Sequence, residues 1–548
     1  MRSYGSARER RLTWLASAIT AIAALVVVTV GVRSGTFAAA DSDPYGYVSE
    51  ADLMTQGSLR VDQRFASAMP WPRPELTFSP PGYRPAPDGF IVPMYSPGLP
   101  LVMAAFQRIK GRNAVFYVVP LLGAIAVWMT GRLGTKIHGP LTGMLAAVLL
   151  GTSVIFLYQL LQPVSDVAAT SWWTISLALT VAGSPLAALG AGLAASMAVL
   201  TRPNLVPLGA VIALFGGRRI VCAGPNHRRP AVRWLVLFAL GMAPGCLAVA
   251  AINQHLYGSP LQSGYWDSAL LYSWAHLVPN LDRYPRWLVQ TSASYICLAL
   301  GAPWLVRNQG TRSAAEATLR RDHVWLLLAF SAAVFLSYLF YVPWGRQEWG
   351  YLRFVLPSYP ALIVLSVIVA RELLGRVSDR NGVGVGLAIV LCGALAAWQA
   401  REAVRLGAFT TKVAERRYVD VGRYVAAALP RNAIFIAGAQ AGSLRYYSNR
   451  LTVRYDLLDP RWLDRAVEAL RQKGYHPYLA LEEAEEAPFR DRFGAKNALA
   501  RLDWPAAVER SEQIRVRIYD PADRERFLAG APIVTEDTGF IKRTLTVK

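Results

Sequence analysis

Two acids and a tyrosine stand directly after the first apolar segment of the chain. In "AAADSDPYGYVSEADL", residues 38–53, Asp41 and Asp43 follow about twenty apolar residues, and Tyr47 comes four residues after Asp43. A helix that begins near Pro44 puts Asp43 and Tyr47 on one face, because positions i and i+4 share a face and proline suits the first turn. A carboxylate there can accept a proton or cap the helix, and the sequence leaves both roles open.

Two further polar side chains are predicted near the same membrane boundary. Tyr95 precedes "SPGLPL", and Asp166 lies in "QPVSDVAAT" between two apolar segments. An acid close to hydrocarbon is costly unless it faces a cavity or a partner. Asp166 is therefore a candidate site residue, and N-capping of the following helix is the competing structural interpretation.

Three arginines are candidates for binding phosphate. They are Arg202 in "TRPN", Arg346 in "PWGRQEWG" and Arg353 in "GYLRFVLPSYP". A guanidinium group presents a fixed fork of donors that matches phosphate oxygens. Each side chain could instead extend to lipid headgroups at the membrane surface.

The composition favours a polytopic membrane protein. Of the 548 residues, 53% are hydrophobic and 17% are charged, whereas soluble domains average roughly 45–50% apolar and about 25% charged residues. The net charge of +21 resides mainly in loops between apolar segments, so no nucleic-acid partner is predicted. The four cysteines lack CxxC or Cys/His spacing and indicate neither a disulfide nor a metal site.

About eleven segments are apolar enough to cross a hydrocarbon layer about 30 Å thick. The basic loops between them, such as "GGRRIVCAGPNHRRPAVR", fall on one side, which the positive-inside rule assigns to the cytoplasm. The N-terminus is therefore predicted to be cytoplasmic. The predicted spans lie near residues 12–32, 114–132, 139–160, 166–183, 185–200, 203–216, 233–252, 287–306, 323–343, 353–373 and 383–400.

Residues 33–113 are predicted to form the first outer loop. The apolar run after Pro100 is too short to span and suits a helix that lies along the outer membrane surface. "FAAADS" has the shape of a signal-peptidase site after Ala40, although the preceding apolar stretch is longer than usual for a signal peptide. With or without cleavage, Asp41 starts outside.

Residues 401–548 change character and predict a soluble extracytoplasmic α/β domain, distinct from a membrane domain over residues 1–400. Alternating strands and helices indicate a small layered domain with a partly parallel sheet. "AGAQAG" lacks the GxGxxG order of a dinucleotide site. The predicted helices are "ERRYVDVGRYVAAAL" and "PRWLDRAVEALRQKG", and the predicted strands are "NAIFIAGA", "HPYLALEE" and "IRVRIYD".

The order of these motifs resembles the GT-C glycosyltransferases, over roughly residues 10–375. Within that superfamily the chain is most similar to the bacterial relatives of protein O-mannosyltransferases and lipid A aminoarabinose transferases. The motifs that carry the resemblance are DxxxY after the first span, a Tyr-Pro segment before an amphipathic helix, "SDV" after the third span, "TRP", "NQHLYGSPLQSGY" and "RFVLPSYP".

The resemblance implies inverting transfer of a sugar from a polyprenyl-phosphate carrier to an acceptor at the outer face of a bacterial inner membrane. Asp43 matches the family's catalytic acid and would be the general base, with Asp41 as the alternative. Arg353, Arg346 and Arg202 would bind the donor phosphate. The side chains expected to hold the sugar or the acceptor are Tyr47, Tyr95, Asp166 and Tyr265.

The cofactor and the acceptor stay open at this stage. Asp41 and Asp43 have DxD spacing, but many relatives that use polyprenyl-phosphate donors are thought to need no metal, so no cofactor is predicted and a divalent ion is left open. The aminoarabinose transferases carry a Lys-Pro-Pro-type sequence where this chain has "MYSPGLP", and the mannosyltransferases carry Asp-Glu where it has Asp43-Pro44. Lipid, glycan and protein acceptors all remain candidates.

Two other classes of protein fit the composition. A transporter or flippase of lipid-linked sugars usually shows internal repeats and polar groups at the bilayer midplane, whereas this sequence shows no repeat and its polar clusters lie at one outer face. A structural or sensory membrane protein would leave the long first outer loop unexplained.

Overall fold

A computed structural model describes residues 7–265, 268–292, 294–305, 314–342, 348–377 and 382–537. Up to residue 405 it is mainly helical. The helices are, in chain order, α1 (Ala7–Ser34), α2 (Asp43–Gln56), α3 (Pro74–Thr77), α4 (Gly98–Lys110), α5 (Val118–His138), α6 (Pro140–Thr152), α7 (Val154–Leu160), α8 (Ser165–Ala182), α9 (Pro185–Thr201), α10 (Pro207–Val221), α11 (Pro225–Tyr257), α12 (Ser268–Leu271), α13 (Leu277–Ser292), α14 (Ala302–Leu305), α15 (Ala314–Leu339), α16 (Tyr359–Val377) and α17 (Val383–Arg405).

The chain is an integral membrane protein. Among the described residues, seven helical stretches are long and apolar enough to cross a membrane, and the number rises to nine if two bent helix pairs each count as one span. The predicted spans at 166–183 and 185–200 are present as α8 and α9, but neither is among the seven stretches. The helix α8 is not apolar enough, and α9 is too short. The predicted number of eleven spans therefore stays a prediction.

The segment that leads into α16 lies at the centre of the helical region. A 3₁₀ helix, Trp349–Ser358, precedes α16, and every residue from Val355 to Val369 is buried. A helix that is apolar on every face is expected in such a place. Arg353 enters the middle of the protein on this 3₁₀ helix.

The first outer loop contains a small sheet that the sequence analysis did not predict. Strands β1 (Val61–Asp62), β2 (Tyr83–Ala86) and β3 (Phe90–Pro93) pair antiparallel in the order β1-β3-β2. The turn between β2 and β3 contains Asp88 and Gly89, both at positive φ, as tight hairpins require. The amphipathic helix predicted after Pro100 is present as α4, and its position along the membrane surface stays a prediction.

The C-terminal region contains the expected α/β sheet. The sheet order is β5-β4-β6-β8-β7-β9, with β4 parallel to both β5 and β6, and β6 antiparallel to β8. Its strands are β4 (Ala433–Ala437), β5 (Leu451–Arg454), β6 (His476–Glu482), β7 (Val508–Arg510), β8 (Val516–Tyr519) and β9 (Glu536–Asp537). Its helices are α18 (Thr411–Ala428), α19 (Ala441–Ser448), α20 (Leu463–Gln472), α21 (Glu483–Phe493) and α22 (Pro521–Leu528).

The first outer loop packs into the core of this sheet region. Trp71 and Phe78 are buried with Leu463 and Phe489 in one apolar cluster. Apolar area removed from water stabilises such a contact in proportion to its size. The predicted boundary at residue 401 stays a prediction, and the loop and the sheet region share a core.

Candidate active site

Asp43 is the first residue of α2, where Pro44 follows it and Ser42 is the N-cap residue. Its carboxylate is held by two groups from distant parts of the chain. Arg353 Nη1 donates to Asp43 Oδ2 at 2.9 Å, and Tyr95 Oη donates to Asp43 Oδ1 at 2.6 Å. A carboxylate has about four acceptor positions, so these two bonds leave room for a further hydrogen-bond donor.

A glycine allows Tyr95 to lie across the first turn of α2. A Cβ atom at Gly46 would be 2.3 Å from the Tyr95 ring, so any larger residue would displace that ring. Tyr95 also contacts Tyr47, with ring centroids 4.8 Å apart, and Tyr265, with centroids 6.0 Å apart. Three tyrosines from three segments therefore surround the Asp43 side of the site.

Arg202 and Asp166 form a buried ion pair beside this group. Arg202 Nη2 donates to Asp166 Oδ1 at 2.5 Å, and Tyr47 Oη donates to Ser165 Oγ at 2.9 Å. The N-cap of α8 is Val164, and Asp166 lies in the first turn with its carboxylate directed at Arg202, so the N-capping interpretation of Asp166 is wrong. Arg202 Nη1 and Asp166 Oδ2 are buried without a hydrogen-bond partner among the described residues.

The two arginines share an aromatic neighbour. The Arg353 guanidinium carbon lies 4.9 Å from the centroid of the Phe354 ring, and that of Arg202 lies 5.5 Å from it. Cation–π contact of this kind holds a guanidinium group while leaving N–H groups free. Asp43, Arg353, Arg202 and Asp166 thus lie in one cluster, in which each arginine is paired with one acid.

The charge of Asp43 is fixed by these neighbours. Burial raises the pKa of Asp43, but the Arg353 guanidinium, the Tyr95 hydroxyl and Arg202 outweigh burial, so the pKa lies below its ordinary value. Asp43 is therefore ionised at neutral pH. An ionised carboxylate can accept a proton from an attacking hydroxyl group.

Asp41 faces a different environment, although it is only two residues away. Burial, Asp43 and Glu482 together raise the pKa of Asp41 to about 6, against a smaller opposing effect of Arg417. Asp41 lines a cavity beside Gly438 and Ala439 of the C-terminal region. The structure thus gives the two acids of the DxD pattern different neighbours.

The site offers no evident ligand set for a metal ion. Asp43 is engaged by Arg353 and Tyr95, and Asp41 is oriented toward the cavity. In the part of the chain that the structure describes, no three His, Cys, Asp or Glu side chains lie close enough together to hold an ion. Asp41 and Asp43 are thus two candidate ligands without a third acid, histidine or cysteine beside them among the described side chains.

The C-terminal region holds the segment that carries both acids. The backbone N–H of Ala39 donates to Tyr447 Oη at 2.8 Å, and Lys412 Nζ donates to the carbonyl oxygen of Arg33 at 2.6 Å. The Tyr418 side chain is buried against Ala38 and Ala40. The position of Asp43 therefore depends on residues about 400 positions further along the chain.

Most of the predicted site residues lie in one cluster. Asp41 adjoins it, and Arg346 lies outside the described residues. Sequence reasoning missed Ser165, which has a visible signal as the neighbour of Asp166, and Tyr447, which has none because it lies in an ordinary amphipathic helix. The predicted residues that the structure brings together are Asp43, Tyr47, Tyr95, Asp166, Arg202, Tyr265 and Arg353.

Comparison with known proteins gives a match in structure only. No protein-family model matches the sequence, and no curated protein matches it. ArnT from Cupriavidus metallidurans in the apo state is similar, with a TM-score of 0.55 and 12% identity over 93% of this chain and 98% of that chain. The same protein bound to undecaprenyl phosphate gives a TM-score of 0.53 and 11% identity over 91% and 98% of the two chains.

An archaeal protein is similar as well. The oligosaccharyltransferase AglB from Archaeoglobus fulgidus, in complex with an inhibitory peptide and a dolichol-phosphate, gives a TM-score of 0.52 and 11% identity. The match covers 93% of this chain and 75% of that chain. At such low identity these likenesses show the fold.

Proposed function

We propose that this chain, which has the fold of the GT-C glycosyltransferases, transfers a sugar from a polyprenyl-phosphate carrier to an acceptor at the extracytoplasmic face of the bacterial inner membrane. The observation that carries the proposal is the Asp43 carboxylate, held between Arg353 and Tyr95 and close to a second arginine. A base next to phosphate-binding cations is what this reaction needs.

Asp43 is the proposed general base. The acceptor hydroxyl attacks the anomeric carbon, the bond from that carbon to the carrier phosphate breaks, and the hydroxyl proton passes to Asp43. Attack from the face opposite the phosphate inverts the configuration of the sugar. Tyr95 and Arg353 keep the carboxylate ionised and fixed in orientation, which are the two conditions that general-base catalysis requires.

Arg202 and Arg353 are the proposed phosphate-binding groups. The departing phosphate gains negative charge, and preorganised cations stabilise that charge in the transition state. Arg202 Nη1 is buried without a partner among the described residues, and Arg353 donates to Asp43 through one of its five N–H groups. Both arginines therefore have N–H groups available for phosphate oxygens. No step of this mechanism is assigned to a metal ion.

The direct test uses lipid donors. The purified chain is incubated with a panel of radiolabelled polyprenyl-phosphate sugars and a membrane lipid extract as the acceptor source. Consumption of at least one donor, with label appearing on an acceptor, supports the proposal. If no donor is bound or consumed, the proposal fails, and flipping of the same lipids in reconstituted vesicles would then support the transporter alternative.

A further inference from the structure

A cavity of about 410 Å³ lies between the first outer loop and the C-terminal sheet region. Its walls come from both parts, with Ser42, Tyr83 and Tyr95 on the loop side and Tyr455 and Asp456 on the other. Sites for small molecules commonly have volumes of about 300–1,000 Å³. The cavity is therefore large enough for a ligand of one or two sugar rings.

The cavity leads to the proposed base through one tyrosine. Ser42 Oγ lies 2.7 Å from Tyr95 Oη, and Tyr95 Oη donates to Asp43 Oδ1 at 2.6 Å. Ser42 and Tyr95 both line the cavity. The wall of the cavity at Tyr95 is thus one hydrogen bond away from the Asp43 carboxylate.

Asp41 is the lining acid most available to a ligand. Glu485 accepts hydrogen bonds from the N–H of Ala439 at 3.0 Å and from Tyr455 Oη at 3.1 Å. Asp456 is paired with Arg454. Asp41 lines the cavity and forms no ion pair with any described residue, although the backbone N–H of Ser42 bonds its carboxylate. Its carboxylate oxygens are available to accept hydrogen bonds from hydroxyl groups.

The charge of the walls disfavours an anionic ligand. The lining contains three acids and one arginine, and Glu482 lies close enough to Asp41 to raise its pKa further. A phosphate or carboxylate brought into this space would face like charges without a free cation, which is costly.

We infer that this cavity binds the acceptor and that the acceptor is an uncharged carbohydrate, held by Asp41 and directed by Tyr95 toward Asp43. The inference rests on the proposed function, because it names the substrate that receives the sugar. The C-terminal region then forms one wall of the acceptor site, and Asp41 binds the hydroxyl groups of the acceptor.

Saturation-transfer NMR on the full chain in a sugar-free detergent tests the inference without turnover. The probes are neutral disaccharides of gluco, galacto, manno and arabino configuration, a uronic-acid disaccharide of matched size and a short peptide rich in Ser and Thr. We expect saturation transfer to at least one neutral disaccharide and little to the acidic one. Asp41→Asn should weaken the affinity, obtained by titrating the disaccharide, by about tenfold, the typical effect of losing a good hydrogen bond to a charged group.

A second variant keeps the test independent of Asp41. Leu457 lines the cavity and is 38% exposed, so Leu457→Trp should fill the space and abolish binding of the disaccharide. Val534→Trp, at a position that is 85% exposed and absent from the cavity lining, is the matched control and should bind normally. Binding of polyprenyl phosphate by each variant reports that the membrane region is folded.

The outcomes separate this inference from the proposed function. Donor consumption without binding of any neutral disaccharide, or equal binding by wild type and Leu457→Trp, overturns the acceptor inference alone. Stronger binding of the acidic disaccharide or of the peptide also overturns it. Failure to bind or consume any lipid donor overturns the proposed function, whereas disaccharide binding that depends on Leu457 and Asp41 would still support a carbohydrate site.

Discussion

Arg353 controls the chemistry of Asp43 at the scale of single residues. The guanidinium group lies 2.9 Å from the carboxylate. Among the neighbours that lower the pKa of Asp43 against the effect of burial, Arg353 has the largest effect. The arrangement keeps the base ionised and also makes it a weaker base. Arg353 therefore has two roles in the proposed mechanism, which a change of pH can separate.

Arg353→Ala should move the acid limb of the pH–rate profile to higher pH. In the wild type, the pKa of Asp43 lies below its ordinary value, so the carboxylate is ionised near neutral pH and its titration does not limit activity there. Without Arg353, burial dominates and the pKa of Asp43 rises. We also expect a loss of about 10²–10³-fold in kcat, as for the removal of one group that stabilises a developing oxyanion.

Arg353→Lys is the control for this prediction. It keeps a positive charge, so its acid limb should stay closer to that of the wild type, although its rate should fall because a lysine lacks the forked geometry. Sugar release at several pH values provides the measurement. An acid limb in Arg353→Ala that coincides with the wild-type limb would mean that Arg353 does not govern the charge of Asp43.

Variants of the Arg202–Asp166 pair distinguish a role in binding the lipid phosphate from a role in stability. Arg202→Gln leaves the buried Asp166 carboxylate unpaired, a change that typically costs about 3–5 kcal/mol. The double variant Arg202→Gln/Asp166→Asn should recover most of that stability but not the affinity for polyprenyl phosphate. Thermal unfolding and binding of the lipid phosphate are measured together. Wild-type lipid affinity in the double variant would assign the pair a structural role only.

At the scale of secondary structure, α2 and the segment before it set the site. The helix start at Pro44 and the shared face of Asp43 and Tyr47 were predictable, because proline position and the i, i+4 rule are local. The hairpin around Asp88 and Gly89 was also predictable, because Asp-Gly between two apolar stretches is a local hairpin signal. The strand order of the C-terminal sheet was not predictable, because local periodicity identifies strands but not their neighbours.

The junction between residues 38–42 and the C-terminal region contains acids whose charged forms the fold disfavours. Burial is the main cause that raises the pKa of Asp41 to about 6 and that of Glu415 to about 7. An acid with a raised folded-state pKa destabilises the fold when it is ionised, so stability should increase as the pH falls from 8 to 5.5. Asp41→Asn should raise the unfolding temperature at pH 7.5 and reduce this dependence on pH.

Asp62→Asn is the matched control for that prediction. Asp62 is bonded to Arg64, which lowers its pKa, so its titration lies below the pH range of the test. Thermal unfolding of the detergent-solubilised chain is followed at each pH. The interpretation of the junction would be wrong if Asp41→Asn lowered the unfolding temperature at pH 7.5 or left its pH dependence unchanged.

At the scale of the whole molecule, the first outer loop and the C-terminal region act together. Trp71 and Phe78 of the loop complete the core of the sheet region, and Tyr447 bonds the backbone of Ala39 across 408 residues of sequence. The sequence predicted both parts separately. It could not predict their contact, because pairing between such distant segments leaves no periodic pattern in either of them.

The proposed orientation in the membrane can be tested with cysteine labelling. In a chain with Cys246, Cys297 and Cys392 replaced by Ser, the native Cys222 should react with an impermeant maleimide only after the inner membrane is opened. A cysteine introduced at the exposed Val534 should react in intact spheroplasts. Labelling of both positions from the same side would contradict the predicted topology.

If Asp43 is the base of a sugar transfer, Asp43→Asn should slow the transfer and leave binding of the lipid carrier intact. Wild type, Asp43→Asn and Asp41→Asn are compared with a donor that the wild type consumes, and binding of polyprenyl phosphate is measured for each. We expect a loss of about 10²–10⁴-fold in kcat for Asp43→Asn with lipid binding retained, and a much smaller loss in kcat for Asp41→Asn. Near-normal transfer by Asp43→Asn, or a loss confined to Asp41→Asn, would mean that Asp43 is not the base.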